Sequence, residues 1–100
     1  MGDLTLQTPL RVSSDVVFRD LDGEVVILNL ASGKYFGLDP VGTRIWQLIE
    51  EHRRLEDVLR HLVGEYDAPP DALERDLMTL ASELVQLGLL VHDDATTNAN

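Results

Sequence analysis

The sequence predicts an α+β fold, a three-stranded antiparallel meander followed by three helices, on three observations. Two runs rich in β-branched and aliphatic residues flank the dipeptide Asp22-Gly23. A second turn-forming dipeptide, Ser32-Gly33, opens a third short run. Beyond Asp39-Pro40 the apolar residues change from strand spacing to helical spacing.

Residues 16–21 (VVFRDL) and 24–30 (EVVILNL) form the first pair of strands. Asp-Gly readily takes the positive φ values of a type I′ turn, so a hairpin is the natural connection. Ser32-Gly33 repeats the device before residues 34–38, which makes the third strand an edge strand with unpaired N–H and C=O groups. Nearly every position of EVVILNL is apolar, as expected of a central strand covered on both faces. Asp39-Pro40 then reads as an N-cap with proline at N1, and Val41, Ile45, Leu48 and Ile49 follow at helical spacing over 40–51. Leu55, Val58, Leu59, Leu62, Val63 and Tyr66 mark a second helix over 55–66. The DAPPD break allows a third helix to start at Pro70 and to close on Gly88. Leu89-Leu90-Val91 is expected to pack back on the core. The unit therefore spans residues 10–91, with a flexible segment over 1–9 and a disordered polar tail over 92–100.

Composition narrows the function. Eighteen acids against eight bases give a net charge of −10, which repels phosphate backbones and anionic membrane surfaces. There is no cysteine, which excludes disulfides, thiolate zinc sites and thiol catalysis and fits a reducing cytoplasm. No apolar stretch is long enough to span a bilayer, and the first residues lack the charged start and apolar run of a signal peptide.

The helical half is helix-turn-helix-like, which raises DNA binding. Its third helix offers Arg75 and Gln86 against Asp71, Glu74, Asp76 and Glu83, the wrong sign for phosphates. Asp20-Leu21-Asp22 lacks the glycine that a calcium loop needs, since Val25 stands there. His52, His61 and His92 lie in three different elements, without the spacing of a helical metal pair. No nucleophile elbow, phosphate loop or dinucleotide fingerprint is present, and no catalytic residue, metal or cofactor is expected.

What remains is the edge strand and the third helix. Leu73, Leu77, Leu80, Leu84 and Leu87 share one face. From that row, Glu74, Met78, Ala81 and Val85 lie about 80–140° to one side, and Ala72, Asp76, Thr79 and Glu83 about 60–120° to the other. The first flank is the more apolar; if it faces the third strand the two form a groove, and the alternative is that Met78 and Val85 pack as ordinary core against Leu89-Leu90-Val91. An uncharged run such as YFGL, guarded only by Lys34, invites aggregation unless something covers it. An extended peptide could add itself there as a fourth strand.

The run LNLASGKYFGLDPVGTRIWQLI, followed by an acidic leucine helix ending LVQLGLLV, resembles the PqqD-like family. These are the peptide-recognition domains of pathways that modify ribosomally made peptides. The resemblance covers about residues 15–91 and is most specific at Gly33-Lys34-Tyr35-Phe36, Leu38-Asp39, Gly42 and Ile45-Trp46. Within the family it is most like the stand-alone partner of the lasso-peptide leader peptidase. It implies a winged-helix-like, non-catalytic protein that binds a leader segment antiparallel to the third strand, against the third helix. It also implies delivery of that leader to a modifying enzyme, in the lasso case a cysteine protease with a cyclase acting afterwards. Carried onto this chain, the strand contacts are Lys34, Tyr35, Phe36, Gly37 and Leu38. The helix contacts, resting on the angular argument, are Glu74, Met78, Ala81 and Val85. The free protein is expected to be monomeric. Two other readings use the same elements: a winged-helix transcription regulator, and a dimerising subunit whose edge strand pairs with its own copy.

Overall fold

The computed structural model describes residues 4–93. A three-stranded antiparallel sheet in the order β2-β3-β4 is followed by three helices, so the fold is α+β. Its strands are β2 (Val16–Leu21), β3 (Glu24–Asn29) and β4 (Lys34–Gly37), and its helices are α1 (Pro40–His52), α2 (Leu55–Glu65) and α3 (Pro70–Gln86). A separate two-stranded sheet pairs β1 (Leu10–Val12) with β5 (Leu90–His92), Leu10 opposite His92 and Val12 opposite Leu90.

The local signals act as read. Asp22 and Gly23 both have positive φ, 58° and 85°, and the Asp20 carboxylate accepts the Gly23 N–H at 2.8 Å. Asp39 caps α1 by accepting the Gly42 N–H at 2.8 Å, with proline directly after it. The β1–β5 sheet is an addition, and it moves the limits of the packed unit. Leu4 and Leu6 rest half-buried on the core, and Leu6 and Thr8 carbonyls accept the first N–H groups of α2. His92 belongs to β5, and Asp93 is buried and paired with Arg53 at 2.9 Å. The unit thus begins before residue 10 and extends past 91; the rest of the expected tail lies outside the described residues.

The core lies between the inner face of the sheet and the three helices. Val25 and Ile27 point into it from β3, Trp46, Leu48 and Ile49 from α1, Leu55, Val58 and Leu62 from α2, and Leu77, Ala81 and Leu84 from α3. Phe18 meets the Trp46 ring edge-on, with centroids 5.3 Å apart. The Trp46 indole N–H has no hydrogen-bond partner among the described residues, a cost of about 1–3 kcal/mol that burial of its two rings outweighs. Arg44 of α1 donates from Nε and Nη2 to the two Glu65 carboxylate oxygens, each at 2.7 Å, and so ties α1 to the end of α2. That hydrogen-bonded guanidinium lowers the Glu65 carboxyl from its ordinary value. A depressed folded-state pKa stabilises above the ordinary carboxylate range, and the contribution fades as pH falls through the depressed value.

Two buried polar side chains fix the sheet against the helices. Asn29 Oδ1 accepts the Ala31 N–H at 2.9 Å while its Nδ2 donates to the Leu87 carbonyl at 3.4 Å, joining the β3–β4 loop to the end of α3. Thr43 stands where the β3–β4 ladder ends. Leu38 N–H still donates to the Val25 carbonyl at 2.9 Å, but the reciprocal bond is relayed through the Thr43 hydroxyl, which accepts from Val25 N–H at 2.8 Å and donates to the Leu38 carbonyl at 3.3 Å. Thr43→Val keeps the shape and strands two backbone groups, so a loss of about 1–3 kcal/mol is expected. Chemical denaturation checks it, and an unchanged midpoint contradicts the relay.

Candidate functional site

The register β3–β4 sets what the sheet offers. Asn29 pairs with Lys34, Leu28 with Tyr35, Ile27 with Phe36 and Val26 with Gly37. Because Ile27 and Asn29 point inward, Lys34 and Phe36 share their face, while Tyr35 and Gly37 share the outer one. Backbone bonds alternate as well. Leu38 N–H points to β3, so the N–H and C=O groups of Lys34 and Phe36 do too, and those of Tyr35 and Gly37 point to the open side. Among the described residues, β4 has a strand neighbour on one side only. The edge therefore presents two donors and two acceptors at a spacing that a further strand can match.

At the Gly37 end of this edge lies a cleft of about 660 Å³, bounded by Gly37 and Leu38, the start of α1 and one shoulder of α3. Leu38, Val41, Ile45 and Leu80 supply its apolar surface, and Asp76 and Glu83 stand on α3 beside Leu80. Gly42 belongs to the lining for a steric reason. A Cβ there would lie 3.1 Å from the Asp39 carboxylate oxygen and 3.4 Å from Leu38 Cβ, so any side chain would press on the cap.

The five strand residues expected from the sequence come together as the edge, Tyr35 outermost at 70% exposure. The four helix residues do not line the cleft. Ala81 is fully buried in the core, Met78 and Val85 are half-buried against it, and Glu74 is exposed. The shoulder that borders the cleft carries Asp76, Leu80 and Glu83, the opposite flank from the one the angular argument chose. That argument centred the buried seam on the leucines. The actual seam is Leu73, Leu77, Ala81 and Leu84, rotated by about 35°. The rotation draws the more apolar flank toward the interior, leaves Leu80 half-buried between core and cleft, and turns Leu87 outward. Burial row by row was the missing information, since an alanine reads as weakly apolar yet fits closest to the neighbouring elements.

Elsewhere, the rings of His52 and His61 stack with centroids 4.1 Å apart, joining two of the three elements that carry histidine. Among the described residues no group of three histidine, cysteine or acidic side chains could hold a metal ion, and no helix is long and apolar enough to cross a membrane.

The comparisons with known proteins bear on family and fold. The family model for coenzyme PQQ synthesis protein D (PqqD) matches residues 24–90. No curated protein matches. Among solved structures, TbiB1 in complex with the TbiA(beta) leader peptide is similar at TM-score 0.77 and 42% identity, over 80% of this chain and 93% of that one. Lasso peptide synthetase B1 complexed with the leader peptide is similar at TM-score 0.76 and 25% identity, over 83% of this chain and 98% of that one. The resemblance first read at Gly33-Lys34-Tyr35-Phe36 and Ile45-Trp46 holds, lasso-peptide kinship included. The chain belongs to the PqqD family.

Proposed function

We propose that this protein is a non-catalytic module that binds the leader segment of a precursor peptide as a fourth strand on β4 and delivers it to a separate leader-processing enzyme. The observation that carries the reading is the open β4 edge with the Leu80 cleft at its Gly37 end, in a fold shared with two proteins whose structures hold leader peptides. The peptide runs antiparallel to β4 and pairs with Tyr35 and Gly37. Its side chains opposite Phe36 and Leu38 then turn into the cleft, onto Leu38, Val41 and Leu80, while those opposite Tyr35 and Gly37 turn outward.

The energetics assign separate tasks to edge and cleft. Ordering a flexible leader costs about 2–5 kcal/mol. Four edge hydrogen bonds at about 1 kcal/mol each roughly offset that and read no sequence. Selectivity falls to the inward side chains, each contributing about 1.5–3 kcal/mol when buried in the cleft. Asp76 and Glu83 favour a leader with a basic residue next to the buried one, chiefly through association rate. The same acids make α3 a poor reader of DNA.

Calorimetric titration with the TbiA(beta) leader peptide tests the reading. The expected dissociation constant is on the order of 1 μM, with a scrambled peptide at least about tenfold weaker. Equal affinity for both, or none for either, contradicts it.

A further inference from the structure

The central strand was expected to be covered on both faces, and it is not. On the face of the sheet turned away from the helices, Val17, Arg19, Leu21, Val26, Leu28 and Tyr35 line a shallow depression of about 310 Å³. The register explains the grouping, for Val17 lies opposite Leu28 and Arg19 opposite Val26, and Leu28 in turn lies opposite Tyr35. Val17 and Leu21 are each about half exposed (50% and 52%) although both are large and apolar. A contiguous apolar face of this kind on a small protein marks an interaction surface.

We infer that this outer face is the seat of the leader-processing enzyme, which grips it through an apolar patch bearing a carboxylate for Arg19. The inference rests on the leader-binding reading, and two observations select this occupant. The first is continuity. A leader added to β4 extends the same sheet, so its side chains opposite Tyr35 and Gly37 project from this very face, beside Tyr35. An enzyme seated here touches module and leader together and meets a larger surface when the leader is bound. The second is charge. Arg19 stands among the apolar side chains, and Glu24 lies at the end of the face opposite Leu21. A two-fold contact between copies would bring Arg19 toward its own equivalent and join two chains of −10 each. A partner with a complementary carboxylate meets neither penalty.

The test uses the double variant Val17→Ser/Leu21→Ser. Both residues are on β2, two strand spacings (about 10 Å) from the β4 edge. The TbiA(beta) leader is expected to bind the variant within about twofold of the wild type, as for distant independent sites. Association of a purified lasso-peptide leader peptidase, measured on the leader-loaded module by biolayer interferometry, is expected to weaken about tenfold or more, and Arg19→Glu to weaken it as well. Undiminished enzyme binding by both variants overturns the inference while leaving leader binding intact. A wild-type chain that takes no leader overturns the underlying reading instead. Light scattering that finds a wild-type dimer abolished in the double variant gives the face to a second copy and also overturns the inference.

Discussion

Gly37→Pro is expected to lower leader affinity by about a hundredfold, ~2.7 kcal/mol, in a domain that stays folded. The Gly37 N–H points away from β3, so its removal leaves the β3–β4 ladder complete. Among the described residues a Cβ at this position meets nothing within 4 Å, and edge strands accept proline. The incoming strand loses a donor and meets the ring where its own backbone should lie, so pairing beyond that point fails as well. Gly37→Ala is the control. It keeps the N–H, points its methyl to the outer face, and should bind as the wild type does. Loss of affinity in the alanine variant equal to that in the proline variant would place the peptide elsewhere.

The second large effect separates the two shoulders of α3. Leu80→Glu is expected to weaken leader binding about thirtyfold. It removes an apolar wall contributing about 1.5–3 kcal/mol and sets a third acid between Asp76 and Glu83 at i−4 and i+3. Both side chains rest partly on the core, so both variants are expected to lower the melting temperature, but Met78→Glu, on the shoulder away from the cleft, should change affinity by less than about threefold. Thermal unfolding beside titration at a temperature where both variants are folded decides the matter. A larger loss of affinity in Met78→Glu than in Leu80→Glu would restore the flank that leucine periodicity favoured.

The contrast between those two residues shows what the sequence could and could not convey. Asp22-Gly23 and Asp39-Pro40 are legible because a turn and a cap are decided within four residues, by φ preference and by one carboxylate. The β1–β5 sheet is not, since each strand has three residues and its pairing spans nearly the whole chain. Thr43 and Asn29 are similarly silent. A hydroxyl that relays a ladder bond and an amide that reaches α3 acquire those tasks only when distant elements meet. In β3 the inward Val25 and Ile27 and the outward Val26 and Leu28 are equally aliphatic, so alternation identifies two faces without saying which one stays bare. The edge strand was legible from its position in the meander and its lack of guarding charge. The shoulder of α3 beneath it required the helix's rotation, which depends on the small Ala81 fitting into the core.

Amide hydrogen exchange, read residue by residue with and without saturating TbiA(beta) leader, tests the added strand most directly. Tyr35 and Gly37 should slow by about tenfold or more as their N–H groups gain partners, while Phe36 and Leu38, already bonded to β3, change little. Tyr35 and Gly37 amides that exchange in the complex as fast as in the free protein would contradict it.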